Sequence, residues 1–201
     1  MIQKLIIEGG QVFVSRIIIL LYVLATPNLL KYSNVGAEAV GIYNLLERIL
    51  TLLRMPFDIY TNTLYPIFSE KYEKDQIKTH LKRAIYASVP LTACIALVFC
   101  ILSTYNVNIL KFDLPFLLIY VMSLIPISIH GFIGNCVLIT NGLRASLVKS
   151  VGVGGLAYLF IVIIFWHLNL NMLNGILTAM FAVELTILVT RWREALRYSL
   201  I

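Results

Sequence analysis

The chain has 201 residues, 60% of them hydrophobic and 13% charged, with a formal net charge of +6 and a mean hydropathy of +0.89. Soluble domains are nearer half apolar and a quarter charged, so a water-soluble globular domain is excluded. The composition predicts an all-α, polytopic integral membrane protein.

Apolar runs of about 20 residues, the length needed to cross a hydrocarbon core of roughly 30 Å, recur near 11–30, 41–66, 84–104, 114–140, 151–168 and 173–190. They predict six transmembrane helices forming a single membrane domain over 1–201. The first run reads as a retained span rather than a cleaved signal peptide, because Arg16 interrupts its apolar core and no small-residue cleavage site follows.

The second run holds "ERILTLLRMPFD", residues 47–58, with Glu47, Arg48, Arg54 and Asp58 at bilayer depth. At about 100° per residue, Arg54 and Asp58 fall within about 20° of Glu47, with Thr51 near 40° and Pro56 opposite. One polar stripe therefore runs down this helix. Charges at the bilayer centre cost about 2.5 to 3.5 kcal/mol each on insertion scales, so the stripe has to face protein or water. Arg54 and Asp58, spaced i, i+4, can also pair along their own helix.

The segment 68–83, "FSEKYEKDQIKTHLKR", is the long polar stretch of the chain. It predicts a surface loop, or a short helix lying on the membrane. "KYSNVGAEAV", "YNVNILKFD", "NGLRASLVKS" and "LNLNMLN" read as turns between helices from their Asn, Gly and Ser content. Cys94, Cys100 and Cys136 fall inside spans without a C-x-x-C pair, so neither a disulfide framework nor a metal site is expected, and no cofactor is suggested. In the fourth span, His130 reads as a helix-to-helix hydrogen bonder, and Gly131 and Gly134 as points of close helix approach. "VGVGG" at 151–155 lacks the strand and the full pattern of a phosphate-binding loop, and also reads as close packing. His167, in "FWHLN", suits an interfacial aromatic belt.

The basic residues sort by side. Lys4, then Lys71, Lys74, Lys78, Lys82 and Arg83, then Arg144 and Lys149, then Arg191, Arg193 and Arg197 fall at one end of the spans, with only Lys31 and Lys111 at the other. This bias of 11 to 2 predicts that both termini are cytoplasmic, and it removes any need for a nucleic-acid partner. Within the membrane remain Arg16, Arg48 and Arg54 against Glu47, Asp58 and Glu184, which carry no net charge. Asp58, Arg16 and Glu184 lie at similar distances from the inner ends of their spans, so one polar layer is expected. Guanidinium groups there suit a phosphate-bearing ligand. The carboxylates suit ion coupling or ion pairing.

The hairpin "SRIIILLYVLATPNLLKYSNVGAEAVGIYNLLERI" and the following "MPFDIYTNTLYPIFSEKY" resemble the seventh and eighth helices of O-antigen and other lipid-linked oligosaccharide flippases. These form the polysaccharide transporter family of a superfamily that includes the MATE exporters. The matching pieces are Val40-Gly41-x-Tyr43 and Leu64-Tyr65-Pro66, with a lysine-rich acidic loop after them. The resemblance implies one six-helix lobe, the C-terminal one, of a two-lobe MATE-like transporter in the bacterial cytoplasmic (inner) membrane. It implies flipping of an undecaprenyl-pyrophosphate-linked oligosaccharide for O-antigen, lipopolysaccharide or other surface polysaccharide. Arg16, Arg48 and Arg54 would bind the pyrophosphate or anionic sugars, and Glu47, Asp58 or Glu184 would couple an ion. The partners implied are the lipid-linked substrate, membrane lipid, a missing N-terminal lobe or a second copy, and a polysaccharide polymerase complex. Two other readings stand beside it: a MATE-like exporter of drugs or metabolites, and a non-transporting scaffold or inactive truncated remnant. An enzyme is not expected, since no paired loop carboxylates or D-x-D-like motif are present.

Overall fold

The computed structural model describes residues 2–33, 36–104 and 113–201, and the side chains of these except at 2–8, 36 and 38. The turn predicted around 105–112, with Lys111, and the side chain of Lys4 lie outside the described residues. Among the described residues all regular structure is helical. In hydrocarbon every backbone donor and acceptor must be satisfied within the segment, which a helix achieves.

The helices are α1 (Ile2–Tyr32), α2 (Gly36–Glu70), α3 (Lys74–Thr104), α4 (Leu114–Met122), α5 (Leu124–Phe132), α6 (Arg144–His167) and α7 (Met172–Arg197). A π-helical segment, Ile133–Ile139, continues α5, so that α4, α5 and this segment make one pass, Leu114–Ile139. Six helical passes result. Five helices are long and apolar enough to cross a membrane. The other pass is α2, whose 35 residues extend about 52 Å at 1.5 Å per residue but include Glu47, Arg48, Arg54 and Asp58. Within 68–83 only residues 71–73 are non-helical, so this stretch is neither a loop nor a separate surface helix. Its polar residues continue α2 and begin α3, because Glu, Lys and Gln favour helix as much as Leu does.

α1 and α6 run parallel. Tyr22 and Thr26 meet Tyr158, with the Thr26 and Tyr158 hydroxyls 2.6 Å apart and the two tyrosine rings 5.7 Å apart. Farther along, Tyr32 and Ser33 share a pocket with Trp166 and Asn169. At the opposite, basic end the Tyr72 hydroxyl donates to the Leu200 carbonyl at 3.0 Å, and Lys149 pairs with Glu194 at 2.7 Å. The beginning of α1 and the end of α7 therefore lie at the same end of the bundle.

α6 and α7 form the most intimate pair. A methyl group at Gly154 would stand 2.9 Å from Ile187 Cγ1, so the glycine in "VGVGG" is there to admit a neighbouring helix. α5 is central and carries α2, α3 and α7 around it. Leu124, Phe132 and Ile133 are fully buried, as are Ile176 and Val183 on α7. The outward faces, such as Leu20, Leu21 and Leu24 of α1 and Leu156, Phe160 and Ile163 of α6, are exposed, as suits a lipid surround.

Candidate functional site

A cavity of about 190 Å³ is lined by α1, α2, α5 with its π-helical extension, α6 and α7. α1, α2, the central pass and α7 each contribute polar groups, whereas α6 contributes Leu147. Ser15 and Arg16 come from α1 and Arg54 and Asp58 from α2. His130 and Asn135 come from the central pass, and Glu184 and Arg191 from α7. The layer expected from the positions of Arg16, Arg54, Asp58 and Glu184 thus exists.

One part of it is tightly built. Arg191 is buried, and its guanidinium donates from Nε to Ser150 Oγ at 3.1 Å and from Nη1 to the His130 carbonyl at 2.8 Å. The same Nη1 lies 3.2 Å from His130 Nδ1. A guanidinium can only donate, so Nδ1 is the acceptor and the ring proton sits on Nε2. From there it is given to Glu184 Oε2, 2.5 Å away. The sequence Arg191 to His130 to Glu184 is therefore a relay with a neutral imidazole at its centre, consistent with the expected helix-to-helix role of His130. Gly134, one turn beyond His130, makes room for it. A methyl group there would lie 2.5 Å from Arg191 Nη1.

The other part is loosely held. Arg54 Nε and Asp58 Oδ2 are 3.8 Å apart, with side chains 41% and 58% exposed. Arg54 Nε has no hydrogen-bond partner. Among the described residues no carboxylate lies within ion-pair distance of Arg16, which is exposed to the cavity. Three guanidiniums thus face two carboxylates around a neutral imidazole, and of the three only Arg191 has its donors firmly bound. Tyr22 adds an aromatic face to the same wall.

Two of the expected site residues are placed elsewhere. Glu47 accepts a 2.6 Å hydrogen bond from the Tyr120 hydroxyl and ties α2 to α4. Arg48 is exposed on α2 and does not line the cavity, since it lies about 120° around the helix from Arg54. Arg191, counted above with the basic end of the chain, takes their place. Its signal was its spacing: Glu184, Ile187 and Arg191 are i, i+3 and i+7, one face of a helix. With these exchanges the cavity carries one net positive charge rather than none.

Residues 1–72 match the family described as "Polysaccharide biosynthesis protein". This covers α1 and α2, the hairpin on which the flippase resemblance rests, and with it Arg16, Arg54 and Asp58. No curated protein matches the chain, and neither does any solved structure.

Proposed function

We propose that this chain is one lobe of a membrane transporter that moves a lipid-linked oligosaccharide, carried on a pyrophosphate, between leaflets. The observation that carries this reading is a pair of guanidiniums in a cavity with net positive charge: Arg16, with no carboxylate within ion-pair distance among the described residues, and Arg54, held only by a loose pair with Asp58 and with its Nε lacking a hydrogen-bond partner. Such a pair attracts an anion at a depth where leaving it unneutralised is costly. Arg binds phosphate oxygens through a planar fork of donors, and the match to polysaccharide biosynthesis proteins over the same hairpin supports a sugar-bearing phosphate. Tyr22 and Asn135 on the cavity wall suit sugar hydroxyls. The lipid tail stays in the bilayer, and no covalent bond changes. A MATE-like exporter of cationic drugs is disfavoured by the same charge balance. In a scaffold, the charged groups would be expected to be held by fixed partners as the Arg191 donors are. The basic end of the bundle then faces the cytoplasm, in keeping with the positive-inside bias.

The test is made in the assembled two-lobe transporter, with surface polysaccharide as readout. Arg54→Ala should abolish display, and Arg54→Lys should retain part of it, keeping charge without the fork. The double variant Arg54→Ala with Asp58→Asn decides between substrate binding and structural pairing. It should reach the membrane at wild-type level and remain inactive. Restored display in the double variant would refute the substrate role, because removing a structural pair together costs less than leaving one charge uncompensated.

A further inference from the structure

α2 and α3 are consecutive and joined through residues 71–73 alone; they meet near that junction, where His80 of α3 touches Tyr60 and Phe68 of α2, and beyond it each packs mainly on α5. A cavity of about 470 Å³ lies between them, with Pro56, Phe57 and Tyr60 on one wall and Arg83, Ala87 and Leu91 on the other. A second, much smaller apolar gap continues the crevice farther along, between Leu53 of α2 and Ile95 of α3. On the helical wheel Pro56 lies opposite the stripe of Arg54 and Asp58, so this crevice is on the other side of α2 from the transport cavity.

We propose that the crevice between α2 and α3 binds an anionic phospholipid, with an acyl chain along Phe57, Ala84, Ala87 and Leu91 and the phosphate on Arg83. The crevice walls are apolar except at one end, and apolar cavities of this kind do not hold water. At bilayer depth the available filling is a lipid chain. From Arg83 to Leu91 the helix rises about 12 Å, which lays a chain into the adjoining leaflet while its headgroup stays at the interface.

The polar end has the chemistry of a phosphate site. Arg83 is exposed, and among the described residues no carboxylate is within ion-pair distance of it. Arg83 and Tyr60 line the same crevice, and the Tyr60 hydroxyl is 2.7 Å from His80 Nδ1. A fork of donors and a hydroxyl therefore converge at the headgroup level. Lys78 and Lys82, exposed within a turn or so, add to the positive potential that selects anionic over zwitterionic lipid. Basic pockets between membrane helices recognise anionic headgroups in this way.

The test uses the full chain with its partner lobe, purified in mild detergent and stripped of lipid. Phosphatidylglycerol, phosphatidylcholine and undecaprenyl phosphate are added in turn, with retention read by intact mass and stabilisation by thermal unfolding. Wild type should retain one phosphatidylglycerol and be stabilised by it well beyond phosphatidylcholine. Arg83→Gln should weaken this binding about fivefold or more, Arg83→Lys should keep most of it, and Ala87→Trp should block it by filling the crevice. Equal retention of phosphatidylglycerol by wild type and Arg83→Gln would overturn the proposal. So would an equal response to phosphatidylcholine, or preferential capture of undecaprenyl phosphate at Arg83. Should Ala87→Trp fail to give monodisperse protein, Arg83→Gln decides, since its exposed side chain supports no packing.

Discussion

At the scale of the residue, the cavity holds arginines in two different conditions. Arg191 has its donors directed to Ser150, to the His130 ring and to the His130 carbonyl, whereas Arg54 Nε has none. The first condition is that of a fixed element of the site, and the second is the one the proposed substrate role of Arg54 requires. Gly134 makes the first possible, so Gly134→Ala should push the Arg191 guanidinium off the His130 carbonyl. Overpacking of this kind costs about 1 to 3 kcal/mol, and the loss should appear as a lowered unfolding temperature in detergent that the added variant Arg191→Ala largely removes. An unchanged unfolding temperature for Gly134→Ala would mean that Arg191 has another place to go. The sequence made Arg16, Arg54, Asp58 and Glu184 legible because a charge inside an apolar run stands out. Arg191 was hidden by its company, for "RWREALR" reads as the polar end of a helix. Glu47 could not be told from Asp58 by its angle, because what removes it from the cavity is Tyr120, a residue 73 positions away.

At the scale of the element, α2 has three faces with three tasks. Tyr43, Leu46, Leu50, Phe57, Leu64 and Phe68 are its buried face, Arg54 and Asp58 face the cavity, and Pro56 and Tyr60 line the crevice toward α3. This explains why α2 fails a simple hydropathy criterion and still belongs to the bundle. Apolar runs located all six passes but not their ends. Hydropathy marks where the membrane ends, and α2 and α3 continue as polar helices beyond that point to Glu70 and from Lys74. The π-helical segment Ile133–Ile139 left no trace in the pattern, since a change in hydrogen-bond register alters no residue's polarity. A close helix approach was legible in "VGVGG", though not that the partner is α7, and the contact is testable. Gly154→Leu should drive the side chain into Ile187, separate the two helices and lower thermal stability more than Gly152→Leu. Gly152 has no heavy atom within 4 Å of an added methyl group, so the two substitutions change composition equally and packing unequally. Equal destabilisation by both would show that α6 and α7 do not meet at Gly154.

At the scale of the whole molecule, the argument turns on exposure. Arg16 is exposed and the Arg54 and Asp58 side chains are 41% and 58% exposed, although they sit in the middle of helices that cross the membrane. Facing lipid, such groups would cost several kcal/mol, so their side of the bundle has to be covered, and the cover has to admit water or an anion. Under the proposed transporter reading, a second lobe, or a second copy of this chain, would meet that need. Sidedness is the first thing to measure, because the bias of basic residues and the shared end of α1 and α7 make one expectation: reporter fusions at Ser69 and Asn141 should be cytoplasmic, and those at Ser33 and Asn169 periplasmic. A periplasmic signal at Ser69 would invert or break the six-pass arrangement. With sidedness established, the chain expressed by itself should insert yet fail to restore surface polysaccharide in a flippase-deficient strain. Joined to or co-expressed with an N-terminal lobe, it should restore display, and Arg16→Ala should then remove it without lowering protein level. Activity from the chain alone divides by oligomeric state. If it purifies as a dimer, the second copy is the cover, and Arg16 of both protomers should be protected from an aqueous reagent directed at an Arg16→Cys variant. Full activity from a monomer would mean that these charges are neutralised by something other than protein, and the half-cavity would no longer be the reason for a second lobe.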